Sequence, residues 1–427
     1  MIRLHNCKVI TMEKGIEPVY EEIWVEGDKI CFVGCPTAQQ LADTRFSTDM
    51  DLHGNVVIPS FKNAHTHSAM TFLRSFADDL PLQDWLFKQV FPMEAKLNGE
   101  RVYWLTKLAI MEYLTSGITA AFDMYFELED YVRACTESGF RSVMCGAVSG
   151  GEENAERLEQ NFLKYKDCHP LIGYMLGFHA EYTAEEGLMR RIGRLAEKYK
   201  APVAMHNSET EKEVRECIEK YGKTPTQLFD SFGIFNYGGA GFHCVHMSDE
   251  DLEIFKNRGV WAVHCPGSNV KLASGIAPIT KMQEMGINIA LGTDGPASNN
   301  CLDMFREMFL MTGLQKIADK DASACPAQNV LYAATAGGAR AMGLNDCDTL
   351  TVGKQADLTV IDINRPNMQP LNNIGKNIVY SGSKENILLT MCAGKVLYEK
   401  GKFFIGEKPE EIYKQANNII TQMKSEA

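Results

Sequence analysis

The chain has 427 residues, of which 45% are hydrophobic and 23% charged. It is too long for one small domain, can bury a large core, and does not have the composition of a disordered chain. Lys+Arg number 43 against 55 Asp+Glu, a formal net charge of −12, which argues against a general nucleic-acid or anionic-membrane binder.

The N-terminus, MIRLHNCKVITMEKG, has no apolar core and no small-residue cleavage site, so no signal peptide is expected. No run of about 18 apolar residues suggests a membrane span. The 13 cysteines are scattered, without a C-x-x-C pair. Reduced, buried thiols in a cytoplasmic protein are expected.

Residues 1–57 alternate in the manner of β structure, with EIWVEGDKICFV (22–33) turning at Gly27-Asp28. Residues 351–427 return to that character in DLTVID and in ILLTMCAGKVLY, a hairpin around Ala393-Gly394. An amphipathic helix over Pro409–Lys424 follows on an exposed tail. Each end is too thin to bury a core alone, so the termini are expected to build one small β-sandwich domain together.

Between them, 58–350, short β-rich runs alternate with helical stretches. The runs are VVIPSFKNAHTH (56–67), ITAAFDM (118–124), RSVMCGAV (141–148), IGYMLGFHA (172–180), PVAMHNSE (202–209), GAGFHCVH (239–246), GVWAVHCP (259–266) and INIALGTDG (287–295). Strands alternating with helices imply parallel pairing, and eight such units imply an α/β fold of the (β/α)8 TIM-like barrel type. A doubly wound open sheet is the alternative. The aromatic-rich interval 68–117 is expected to form a lid over the barrel mouth. No G-x-G-x-x-G or G-x-x-x-x-G-K-[ST] loop occurs, so nucleotide-phosphate cradling is not supported.

Seven of the 10 histidines fall at or near strand C-termini: His65, His67, His179, His206, His243, His246 and His264. In a (β/α)8 barrel those ends build the active site. His65 and His67 share one face of a strand. With His206 and Asp294 they make three imidazoles and one carboxylate, a set suited to one divalent ion: zinc first, iron or manganese as alternatives. Glu209, just beyond His206, is placed to shuttle protons. His243 can orient water or a developing oxyanion. His179 is expected to touch substrate rather than metal. His246 should point elsewhere, and His264 is a weaker candidate. No H-E-x-x-H, P-C-x-x-C or G-x-S-x-G occurs.

These residues sit in runs that resemble the amidohydrolase superfamily, a family of metal-dependent hydrolases. The nearest branch is that of the 5′-methylthioadenosine/S-adenosylhomocysteine deaminases. The runs are PSFKNAHTHSAM, FPMEAKL, GFHAEYT, MHNSET, HCVHMSD, HCPGSNVKLASGIAPI, LGTDGPASNNCLDMFREM and GKQADLTVID. The resemblance implies that His65, His67, His206 and Asp294 hold one metal, that His243 assists the water, and that Glu209 protonates the heterocycle. It implies that Glu94 grips ribose hydroxyls and that His179 contacts the substrate. No lysine lies between Ile172 and Tyr182, which favours one ion over two. An arginine expected late in or just beyond the third strand is absent from CGAVSGGEEN (145–154), and Arg141 sits at the other end of that strand.

The leading expectation is hydrolytic deamination of an adenine-type nucleoside, a small heterocyclic substrate, by a homo-oligomer. A deaminase or amidase acting on guanine, a pterin or a triazine keeps the site and changes the ring. A non-catalytic barrel scaffold predicts decay of the ligand set, which is intact.

Overall fold

The computed structural model describes residues 1–13, 15–80 and 82–426. Pro81 and the side chains of Leu82 and Gln83, which fall in the expected lid, lie outside the described residues. Eight strands run parallel in sequence order: β1 (Phe61–Thr66), β2 (Ile118–Met124), β3 (Arg141–Cys145), β4 (Ile172–Gly177), β5 (Val203–Asn207), β6 (Gly239–His243), β7 (Val260–His264) and β8 (Ile289–Leu291). The seam between β1 and β8 is closed just past β8. There the Asp294 N–H donates to the His65 carbonyl at 2.9 Å, and the Thr293 N–H donates to Asn63 Oδ1 at 2.8 Å. A Cβ on Gly292 would lie 2.8 Å from the His65 nitrogen, so the glycine of LGTDG permits this approach. Small, branched and aromatic inward side chains, Ala64, Ala120, Val143, Ala204, Phe242 and Val263 among them, fill the interior.

The termini share one mixed nine-stranded sheet. The strand Val56–Pro59 joins its halves. It pairs in parallel with Ile2–Val9 and antiparallel with Leu358–Ile361. Leu4, Ile23, Val57, Leu358 and Met391 pack into a single core fed by both ends of the chain. The expected first barrel strand, 56–67, is therefore two strands. The first half belongs to the terminal sheet and the second opens the barrel, with Ser60 between them. The C-terminal helix also departs from expectation. The helix Pro409–Ser425 buries Ile412, Ala416, Ile419 and Met423 and packs on helix Gly99–Thr115 rather than standing free. All thirteen cysteines are free thiols, and no described helix is long and apolar enough to cross a membrane.

Arg141, at the start of β3, faces the barrel floor. It donates to both Asp357 oxygens, at 2.9 and 3.0 Å. Asp357 also accepts from the Ala393 N–H, and the buried Lys62 donates to Ser60 and Thr119 beside it. Burial would raise the Asp357 pKa, but Arg141 and Lys62 overcome it and hold the carboxyl below its usual 3.8. Removing this carboxylate strands a buried guanidinium. Asp357→Asn is expected to cost about 3–5 kcal/mol in denaturant unfolding at neutral pH. A folded pKa below the unfolded value means this stabilisation is complete above about pH 4 and fades as the pH falls further. The gap between wild type and variant should therefore narrow only in acid.

Candidate active site

The strand ends deliver their side chains to one point at the barrel mouth. Donor atoms of His65, His206, His243 and Asp294 lie within 4.8 Å of one another. His67 Nε2 is 3.3 Å from Asp294 Oδ1, and His65 Nε2 is 3.4 Å from the same oxygen. Thr66, between the two histidines, points the other way and meets the Tyr113 hydroxyl at 2.8 Å, as strand alternation requires.

The rings are held from behind. His67 Nδ1 lies 2.7 Å from the Met124 carbonyl, and His206 Nδ1 lies 2.8 Å from the His179 carbonyl. His243 Nδ1 lies 2.8 Å from Asn269 Oδ1. Each contact leaves Nε2 for the centre, the usual arrangement behind metal-ligating imidazoles. His65 stacks on Phe242 with centroids 3.8 Å apart, and beyond the 3.4 Å approach of Nε2 to Asp294 neither of its buried nitrogens has a hydrogen-bond partner. A buried polar atom without a partner calls for one, and a cation among these donors supplies it. The donor set fits a single divalent ion.

Asp294 divides the local electrostatics of the two β1 imidazoles. Burial pushes His65 down to about 3, keeping it neutral as a ligand must be. Burial opposes charge on His67 too, but Asp294 overrides it and raises His67 to about 9. Burial works against ionisation of Asp294, yet His65 and His67 hold it well below the usual carboxylate range. Ser268 and Ser298 donate to its Oδ2 at 2.6 and 2.7 Å, and the Gly295 N–H donates to Oδ1 at 2.7 Å.

Backbone strain gathers at the same place. Ser208, His243, Cys244 and Asp294 all have φ between 50° and 70°. Left-handed non-glycine residues cost on the order of 1–3 kcal/mol each and cluster at functional sites.

A cavity of about 290 Å³ opens over this centre. Glu209 reaches it 3.9 Å from His243 Nε2, with Ser274 Oγ donating to Oε1 at 3.3 Å. Burial raises the Glu209 pKa. Glu94 accepts from the Tyr125 hydroxyl at 2.8 Å, and burial pushes it up to about 7. His179 lies 3.0 Å from Thr183 Oγ1 through Nδ1, and burial lowers it to about 4. Trp85, Leu86 and Phe91 from the interval 68–117, expected to form a lid, line the cavity.

His246 turns away, with Nε2 2.8 Å from the Ser274 carbonyl, and His264 is buried outside the cavity wall. The sequence reading gave no roles to Tyr125, Ser268, Asn269 or Ser298. Three of them lie inside the runs 264–279 and 291–308, so their position just past strand ends was the available signal.

Fold and site together define a (β/α)8 hydrolase barrel with a His/His/His/Asp metal-binding group at its mouth. The chain belongs to the amidohydrolase family, whose profile matches residues 56–397. It is 38% identical to a 5-methylthioadenosine/S-adenosylhomocysteine deaminase of Caldanaerobacter subterraneus, over 98% of both chains. It is 40% identical to a protein of that name from Syntrophobacter fumaroxidans, over 87% of this chain and 86% of the relative. An adenosine deaminase from Xanthomonas campestris with bound zinc superposes with a TM-score of 0.93 at 31% identity, covering 99% of this chain and 98% of its own.

Proposed function

We propose that this protein is a hydrolytic deaminase releasing ammonia from an adenine-type nucleoside, with zinc as its ion. The observation that carries the reading is the placement of Glu209, buried beside the metal-binding group and facing a cavity that also holds Glu94. His65, His67, His206 and Asp294 would hold the ion. When bound there, zinc lowers the pKa of water toward neutrality and makes hydroxide available.

The side chains divide the remaining work. Asp294, kept ionised by its neighbours, takes the proton of the attacking water. Glu209, its pKa raised by burial, carries a proton to a ring nitrogen. His243 is placed to stabilise the oxygen added at the carbon that turns tetrahedral. Asp294 then passes its proton to the amino group, which leaves as ammonia, and Glu209 regains a proton from the new hydroxyl. Glu94, with one oxygen bonded to Tyr125, offers the other to the ribose hydroxyls. His179 is fixed by Thr183 against the substrate.

An ammonia-release screen over adenosine, 5′-methylthioadenosine, 5′-deoxyadenosine, S-adenosylhomocysteine, guanine and pterins tests this reading. Release from nucleosides, weakened by Glu94→Ala, is the expected result. Release from free bases alone would replace the nucleoside by another ring.

The same cavity favours an uncharged 5′ substituent. Among the described residues lining it there is no lysine or arginine, and its charged groups beyond the histidines are Glu94, Glu209 and Asp294. Arg141 is spent on Asp357 at the far end of β3. A carboxylate tail entering here finds no lysine or arginine to pair with. We expect kcat/KM for 5′-methylthioadenosine to exceed that for S-adenosylhomocysteine by about 10- to 100-fold, the size of one missing hydrogen bond to a charged group. Ser149→Arg, which places a guanidinium in the cavity wall, should narrow it.

A further inference from the structure

We propose that Glu181 and Glu213 form one proton-sharing pair that sets the position of Glu209. The proposal rests on the reading of Glu209 as the proton carrier. Glu209 sits in the turn between β5 and the helix Glu211–Tyr221. The turn enters through Ser208, whose φ of 52° leaves successive N–H groups pointing to one side.

Glu213 collects all of them. Its Oε1 accepts from the Ser208 N–H at 2.9 Å, and its Oε2 accepts from Glu209 at 2.9 Å and Thr210 at 3.2 Å. The bond to Thr210 is that of an ordinary capping box. The bonds to Ser208 and Glu209 reach past the helix start and grip the turn itself. Glu213 therefore acts on Glu209 directly, through the backbone nitrogen of that residue.

Glu181, in the loop after β4, lies near enough to Glu213 for each carboxyl to shift the other. Both are almost wholly buried, at 4% and 6% exposed. Two carboxylates in contact away from water cannot both ionise. Three N–H donors stabilise charge on Glu213, whereas Glu181 has a backbone N–H and no partner at Oε2. The proton therefore resides on Glu181, which donates to Glu213, and burial together with the Glu213 charge holds the Glu181 pKa up.

A neutral acid suits this place better than a lysine would. An ammonium beside Glu213 would lie close to Glu209 and favour its ionised form, against the proton delivery it is asked to make. The acid steadies Glu213 and leaves Glu209 near His243.

The test compares kcat, KM, bound metal and thermal midpoint for four variants of the metal-loaded full chain with 5′-methylthioadenosine. Glu213→Gln offers one acceptor where two were used. It should lower kcat about 10- to 100-fold, the usual cost of a displaced catalytic group, with KM and bound metal unchanged. Glu181→Leu should lower kcat about 10-fold in the same manner, and Glu181→Gln, whose amide N–H replaces the acid O–H, should recover most of that loss. If Glu213→Gln does not fold, the two Glu181 variants carry the test. The proposal is overturned if folded Glu213→Gln keeps kcat within about twofold of wild type, or if leucine and glutamine at 181 behave alike. Glu209→Gln in the same series separates the layers. Full activity in that variant would overturn the reading of Glu209, whereas its loss beside an unaffected Glu213→Gln would overturn only the pair.

Discussion

Glu209→Gln is expected to lower kcat by about 10³-fold, within the range for a lost general acid, while bound metal and thermal midpoint stay near wild type. The reasoning is geometric. The carboxyl sits 3.9 Å from His243 Nε2 and has burial, not a partner cation, as the main influence on its pKa. Glutamine fills the same space and keeps a contact with Ser274 but has no proton to deliver. Because Glu209 is not needed to hold the ion, metal content separates its loss from collapse of the site. Parallel measurement of steady-state rates and metal stoichiometry checks both halves. A variant that kept its rate would remove Glu209 from the chemistry.

Chelation is the second large effect. Stripping the ion should abolish ammonia release, and adding zinc should restore it. The stability change should be as clear. Five buried side chains, His65, His67, His206, His243 and Asp294, are brought together here, and beyond its approach to Asp294 His65 has no hydrogen-bond partner at either nitrogen. An ion that binds only the folded chain stabilises it by about 4 kcal/mol when its free concentration is about 1,000 times Kd. Calorimetry with and without chelator should show a matching drop in thermal midpoint. Loss of activity without any change in midpoint would place the ion outside this cluster.

Much of this site was legible in the sequence because a barrel puts its chemistry at strand ends. Alternating strands and helices placed His206 and His243 at the ends of β5 and β6, where they are found. The spacing of His65 and His67 required a shared face, and the reversed Thr66 bears this out. Other features were hidden for physical reasons. The run 56–67 reads as one apolar strand because the break at Pro59-Ser60 is too short to show the passage from terminal sheet to barrel. The amphipathic stripe of the C-terminal helix was visible, but the surface that covers it, the helix Gly99–Thr115, lies some three hundred positions earlier in the chain. The contact between Ser268 and Asp294 spans 26 positions, and that between Asn269 and His243 also spans 26. No local pattern encodes such pairs. The floor pair Arg141–Asp357 belongs to the same class, and it explains why the one arginine of β3 is unavailable to substrate.

One ion held by these strand-end ligands is proposed to support deamination of an adenine nucleoside. This is tested most directly by measuring ammonia release from 5′-methylthioadenosine and metal content on the same preparation across graded zinc loading. Ammonia should rise in proportion to bound zinc and level off near one ion per chain. Fully loaded protein that releases no ammonia, or release that ignores the amount of bound metal, would contradict the account.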